Sequence, residues 1–285
     1  MDKRILVSTD FSKNALNALR YALDLYRDQT CDVYFLNVYQ VDGYHLDNAM
    51  MVPEPGERAF EAAKRKSEEQ FEKLMVILQL RPDNPKHSYH TISTFNSLLE
   101  AANDTIDKKD IDIVVMGTKG ATASRAVIFG TNTINMMEKI TKCPVLAIPE
   151  EVRFSPPKEI VFPTDYKTPF KRRELNYLIE IGKMHGTFIR VLHIKEEADL
   201  NKKQQGNKVL LESILEKTSH SFHTLEDLKV QTGINAFIES RGSDMVAFIN
   251  RKHSFFGSVF SRPLVKELGY HSRIPIIALN DHSKS

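Results

Sequence analysis

The stretch "IDIVVMGTKGATASRAVIFGTN", Ile111 to Asn132, joins a short apolar run to a loop carrying Gly117, Gly120 and Gly130. A short apolar run closed by glycine reads as a buried strand. Helical spacing resumes at about Thr131, so the loop lies where a strand ends and a helix begins. Glycines let a backbone approach an anion and adopt positive φ. A helix N-terminus presents unpaired N–H groups and partial positive charge, and the Thr131 hydroxyl adds a donor. The spacing Gly-x2-Gly-x9-Gly-Thr therefore suits a phosphate chain. It is not a Walker loop, because no Gly-Lys-Ser/Thr closes it, and it is not GxGxxG. The plain alternative is an ordinary strand-to-helix turn.

Working outward, the chain repeats itself. "RILVSTDFS" at 4–12 returns as "EIVFPTDYK" at 159–167, with Asp10 matching Asp165 at an offset of 155. "KHSYHTIS" returns as "SHSFHTLE" at an offset of 133, "IDIVVM" as "SDMVAF" at 132, and "CPVLAIP" as "IPIIALN" at 131. The matches keep their order, which predicts two copies of one domain, 1–150 and 151–285. They join through the Pro-rich segment Pro149 to Glu159. The falling offset makes the second copy shorter by about 22 residues after its second strand. The missing part corresponds best to the stretch "QVDGYHLDNAMMVPEPGE" at 40–57 and part of the helix after it; the loop Gln40–Gly56 has a length and composition found in lids and interaction surfaces.

Each copy alternates apolar strands with amphipathic helices, β-α-β-α-β-α-β-α-β, which predicts a parallel sheet with helices on both faces. In the first copy the strands fall at about Arg4–Ser8, Val33–Val38, Ser88–Ile92, Ile111–Met116 and Val145–Ile148. Ser12 is the expected cap of the first helix. In the second copy Thr168 is the expected cap, with Pro169 in the first helical position. A long helix spans about Glu57–Leu78, and later helices span about Asn96–Asp107 and Thr131–Thr141. Ligands of such sheets bind outside the carboxyl ends of the strands.

Composition narrows the function. With 285 residues, 41% hydrophobic and 27% charged, the chain has material for a packed core. A net charge of +2 is too small a bias to argue for nucleic acid or an anionic membrane. No run approaches the roughly 18–20 apolar residues that span a bilayer. "MDKRILVSTDFS" reads as a first strand and not as a signal peptide. Cys31 and Cys143 form no CxxC pair, so a reduced, cytoplasmic protein is expected. "HSYH" and "HSFH" suggest metal ligation at first sight, but positions i and i+3 of a strand face opposite ways. No metal site is expected. Neither a nucleophile–base pair nor a spaced carboxylate dyad appears, so no catalytic residue is assigned.

These residues resemble the universal stress protein family. "ILVSTDFS", "IDIVVMGTKG", the glycine spacing and "CPVLAIP" carry the likeness, which extends over the whole chain as a tandem, two-domain member. The resemblance implies two five-stranded parallel α/β sandwiches of Rossmann-like, adenine nucleotide alpha hydrolase-like fold. It also implies an ATP site, with or without Mg. Asp10 would meet the ribose and adenosine end, Val38 the adenine, and Met116 the pocket wall. Gly117, Gly120, Gly130, Thr131 and Asn132 would hold the phosphates. Ser8 stands where the family usually has proline, whereas Pro163 keeps it in the second copy. Read without the family, Asp10 suits a ribose hydroxyl or, more plainly, supports the turn into the first helix.

The second copy has lost the loop. Gly117 is matched by Ile249, Gly120 by Lys252, Gly130 by Ser261 and Thr131 by Arg262. β-branched Ile249 does not readily take positive φ. One nucleotide site per chain is therefore expected, with Arg251, Lys252, His253 and Arg262 read as a solvated or interface face. Lys119 is either a phosphate neighbour or a surface lysine. The two copies should pack as an intramolecular pseudo-dimer along the strand-five edges, Val145–Ile148 and Ile274–Ala278. The expected role is an ATP-binding stress-response regulator. The rivals are a nucleotide-free protein-binding module and an enzyme, either a slow ATPase or a nucleotidyl transferase.

Overall fold

Ten strands make one sheet in the order β3-β2-β1-β4-β5-β10-β9-β6-β7-β8. They are β1 (Lys3–Ser8), β2 (Cys31–Tyr39), β3 (His87–Phe95), β4 (Ile113–Gly117), β5 (Val145–Ile148), β6 (Glu159–Pro163), β7 (Phe188–Lys195), β8 (His220–Glu226), β9 (Met245–Asn250) and β10 (Ile276–Asn280). The structure is a computed structural model and describes residues 2–41, 56–119, 129–195, 199–226, 228–250 and 274–280. Gly120, most of the Gln40–Gly56 loop, Arg251, Lys252, His253, Ser261 and Arg262 lie outside them. Among the described residues there are seven helices: α1 (Lys13–Leu25), α2 (Arg58–Gln79), α3 (Leu98–Lys109), α4 (Thr131–Lys139), α5 (Arg172–His185), α6 (Lys202–Leu215) and α7 (Val230–Arg241). None of them is long and apolar enough to cross a membrane. The fold is the mostly parallel, Rossmann-like α/β fold that the alternation predicts.

Strand alternation feeds two apolar layers. Ile5 and Val7 point to one face with Leu19, Phe71 and Leu74, while Leu6 points to the other with Ala102, Met136 and Met137. Each central strand is thus covered on both faces, as parallel strands require. Helices α1, α2, α5 and α6 cover the first face, and α3, α4 and α7 the second. Long α2 buries only Ser67, Phe71, Leu74 and Leu78, so its charged middle faces outward. Ser12 caps α1 by accepting from the Ala15 N–H, as its sequence position predicts.

The second-half helix does not start as predicted. The sequence places the cap at Thr168 and the first helical residue at Pro169, but α5 begins at Arg172 with Lys171 at the cap position. There the Lys171 N–H donates to Glu174 Oε2 (2.9 Å), so an acid inside the helix satisfies the end.

One pairing departs from parallel. β5 and β10 run antiparallel, with Ile276 opposite Ala147, Ile277 opposite Leu146 and Ala278 opposite Val145. These apolar strands lie at the middle of the sheet, and its outer edges are the more polar β3 and β8. On one face the two halves also meet through the buried hydroxyls of Tyr26 and Tyr177, which hydrogen-bond each other. Lys3 Nζ adds an ion pair to Glu180 (2.7 Å), and His185 Nε2 lies 3.0 Å from the Leu25 carbonyl. The connecting segment is fastened to α1. Asn17 Nδ2 donates to the Pro149 and Val152 carbonyls, and Arg153 donates back to Asn17 Oδ1 at 2.7 Å.

Glu159, the first residue of β6, is a heavily engaged carboxylate. Arg241 donates through two nitrogens (2.8 Å each), Arg190 through Nε (2.7 Å) and Ser243 through its hydroxyl (2.8 Å). Burial alone would raise its pKa, but the donors from Arg241, Arg190 and Ser243 outweigh that and hold it at about 2. The folded pKa lies below the ordinary 4.5, so its stabilisation is complete above that value and is lost as pH falls toward 2. Glu159→Gln should lower unfolding free energy by about 2–3 kcal/mol at pH 7. Urea titrations of both proteins should show the gap closing as the pH drops from about 4.5 toward 2. A gap that stays constant would remove the charge from this account.

Candidate functional site

The crossover helices explain where a ligand would fit. After β1 the chain leaves toward the α1–α2 face, and after β4 it leaves toward the α3–α4 face. The adjacent carboxyl ends of β1 and β4 therefore flank a crevice at the point where the sheet reverses its winding. Asp10 follows β1, Gly117 ends β4, and Gly130 caps α4. Val38 and Met116 fall on one face of the sheet, both in the layer that contains Leu36 and Phe129. Met116 is buried and Val38 half-buried.

The β1–α1 turn is built by its own side chains. Phe11 takes a left-handed φ of 61°. Thr9 Oγ1 accepts from the Phe11 N–H and Asp10 Oδ1 from the Ser12 N–H, both at 3.0 Å. Asp10 is exposed at the crevice, and one of its oxygens holds the turn. The same device recurs at Thr164, Asp165 and Tyr166, where φ is 55°. The turn role of this aspartate is thus common to both halves.

The glycines divide by function. Gly130 has φ −67° and ψ 157°, a conformation open to any residue. Its N–H donates to the Thr118 carbonyl (2.7 Å), and the Thr133 hydroxyl reaches the carbonyls of Gly117 and Thr118 (3.0 Å each). These bonds pin the start of α4 to the end of β4. The first bond inside α4 runs from Ile134 N–H to Gly130 O (3.1 Å), which leaves the N–H groups of exposed Thr131 and Asn132 at the helix opening. Gly117 is required by contact. A Cβ there would lie 2.7 Å from Asn14 Nδ2 and 2.8 Å from its Cγ. Buried Asn14 in turn donates to the Lys119 carbonyl (2.8 Å). Lys119 points its ammonium at Glu150 (3.2 Å) and forms an ion pair on this surface.

Several polar residues that the sequence reading passed over support the crevice. Asn37, at the carboxyl end of β2, donates to the Thr9 carbonyl (2.7 Å). Ser67 on α2 donates to Asn37 Oδ1, and Ser93 on β3 donates to Ser67, both at 2.7 Å. This buried ladder ties β1, β2, α2 and β3 together beneath a cavity of about 190 Å³ lined by Phe11, Tyr39, Lys66 and Gln70 among others. Its one sequence signal is two polar residues, Asn37 and Ser67, at buried positions.

The second half is built differently at the same points. Ile249 stands at the Gly117 position, 6% exposed and part of the core. Here α5 begins late, so no helical residue stands at the position equivalent to Asn14. His193 replaces Asn37 and bonds the Thr164 carbonyl (2.9 Å). Gln204 and Asn207 of α6 close over the turn, donating to the Asp165 and Tyr166 carbonyls (2.8 and 2.7 Å). The "HSYH" and "HSFH" histidines do not converge: His87 meets the Tyr26 carbonyl, His90 meets Asp32, and His223 meets Ser221. Among the described residues no cluster of His, Cys, Asp and Glu could hold a metal.

A doubly wound sheet, with a glycine turn and a helix opening at its switch point, has the arrangement in which α/β folds offer a site at their strand ends. Comparison with known proteins makes this specific. The model of the universal stress protein family matches residues 1–149, so the chain belongs to that family. Universal stress protein MJ0531 of Methanocaldococcus jannaschii is 25% identical over 154 residues, 51% of this chain and 81% of that protein. A universal stress protein from Archaeoglobus fulgidus superposes with TM-score 0.70 over 99% of this chain and 97% of its own, at 16% identity. Another from Archaeoglobus fulgidus, solved in complex with dAMP, covers 43% of this chain and 98% of its own at 20% identity and TM-score 0.33.

The Gly117–Asn14 contact makes a direct prediction. Gly117→Ala should lower stability by about 1–3 kcal/mol, because the added methyl displaces a buried, hydrogen-bonded amide. Combining it with Asn14→Ala should recover part of that loss. A double-mutant cycle by chemical denaturation would show coupling, and strict additivity would contradict the contact.

Proposed function

We propose that this chain is an ATP-binding regulator in a stress response, with a first domain (1–150) that holds one adenine nucleotide and a second (151–285) that is its degenerate partner. The observation that carries the reading is the contrast at one position. Gly117 lets Asn14 pack against the end of β4 beside the exposed start of α4, while Ile249 fills the equivalent place with core. In this reading Asp10 and Val38 take the ribose and adenine end, and Met116 backs the pocket. Gly117, Gly120, Gly130, Thr131 and Asn132 receive the phosphates, with or without Mg. Backbone N–H groups and the α4 helix end suit such an anion. Bound ATP supplies a polyphosphate charge that this chain's N–H groups and Thr131 hydroxyl orient. No general base is assigned, so the expected action is a shift in surface conformation and binding, with at most slow hydrolysis.

Protein purified gently from cells should release about one adenine nucleotide per chain on denaturation. Asp10→Ala and Gly130→Val should each lower that content or the affinity for added ATP by about tenfold or more. Gly130 is the informative glycine, because its backbone angles tolerate a side chain and the variant should still fold. ADP in place of ATP would indicate turnover. A protein that carries no nucleotide and binds none on addition would overturn the reading in favour of a protein-binding module.

A further inference from the structure

The second half grips the helix whose opening faces the proposed nucleotide site. Because β5 and β10 run antiparallel, the carboxyl ends of β9 and β10 lie beside the amino end of β5. Helix α4 begins at the carboxyl end of β4 and finishes at that same amino end, just before β5. There Asn250, the last residue of β9, donates from Nδ2 to the Met137 carbonyl (2.7 Å) and the Glu138 carbonyl (3.0 Å). Asn280, the last residue of β10, lies 3.4 Å from the Lys142 carbonyl in the turn that follows α4. The last carbonyls of a helix have no partners inside it, and here the other half of the chain supplies them.

Register gives this contact its meaning. Ile160 pairs with Met245 as Ile5 pairs with Ile113, so Ile249 stands for Gly117 and Asn250 for Thr118. In the first half, Thr118 opens the glycine loop and receives the Gly130 N–H. In the second half, the same point of the fold carries an amide aimed across the junction into α4. We infer that Asn250 is a positioning residue for the nucleotide site. It fixes α4 from its far end and so couples the second half to whatever binds at Gly130, Thr131 and Asn132. The inference rests on the nucleotide reading for its ligand, and on the Asn250–α4 hydrogen bonds for its mechanism. Coupling of this kind is reciprocal, so nucleotide bound at one end of α4 must tighten the Asn250 contact at the other.

The test uses the full chain with three substitutions. Asn250→Ala removes the donor, Asn250→Asp sets a negative charge against the helix carbonyls, and Asn250→Gln keeps an amide. Calorimetry with ATP, under conditions where each variant is fully folded, should show affinity about three- to tenfold weaker for Ala, weaker again for Asp, and at least partly restored for Gln. Amide exchange without nucleotide should be faster along 133–140 in Asn250→Ala, with α5 and β6 unchanged. A purely structural role would lower unfolding stability while leaving the affinity of the folded protein as in the wild type, and that result overturns the inference. If the wild type binds no ATP, the nucleotide reading fails by itself. Exchange along α4 then decides the clamp alone: unchanged exchange refutes it, and faster exchange retains it.

Discussion

The three-residue antiparallel register between β5 and β10 is the constraint on which the rest depends. Val145 to Ile148 and Ile276 to Leu279 are almost wholly apolar and almost wholly buried. Left unpaired, each would be an exposed sheet edge with unsatisfied backbone groups and apolar side chains on both faces. Pairing them makes one sheet from two and leaves the polar strands β3 and β8 as its rims. It also sets the geometry around it. Tyr26 and Tyr177 meet because α1 and α5 are brought side by side, and burial drives both phenols far above their ordinary pKa.

Within that frame the halves differ by linked changes. A glycine at 117 and an asparagine at 14 fit each other, and neither tolerates a larger neighbour. Isoleucine at 249 goes with a helix that starts late. The first half holds its turn with Asn37 and a serine ladder, and keeps a cavity beside it. The second uses His193, Gln204 and Asn207 and draws α6 down over the turn. The members of each set are fitted to one another, so exchanging one for its counterpart would strand a buried polar group or crowd a methyl.

Much of the fold was legible because it follows from period and punctuation. Apolar runs ended by Ser-Thr-Asp or by Gly marked the strands, and Ser12 stood where a cap belongs. The register between halves could be read because the offsets kept their order, and the strand pairings reproduce the match of Gly117 with Ile249. What could not be read depends on partners distant in sequence. Thr168 and Pro169 form a good local start signal, yet α5 starts at Arg172 with Glu174 satisfying the Lys171 N–H. Lys119 has two readings in sequence, and its ion pair with Glu150, 3.2 Å away and beyond the next strand, is visible only in the fold. Asn37, Ser67 and Ser93 are unremarkable letters in three separate elements, and only the fold makes them a chain of hydrogen bonds. Asp10 carries two readings in sequence, and only the fold shows that one of its oxygens holds the turn, as one of Asp165 does in the second half.

The fastened connection between the halves has a further consequence. Asn17 and Arg153 hold the segment after Pro149 against α1, so β10 meets β5 at an effective concentration set by a short tether and not by how much protein the cell makes. Two separate chains forming the same junction would be bound to symmetry, since every substitution would appear on both sides of it. Covalent linkage lifts that restriction. Selection can then act on one side at a time, so a single junction can carry Asn250 on one flank and a glycine loop on the other.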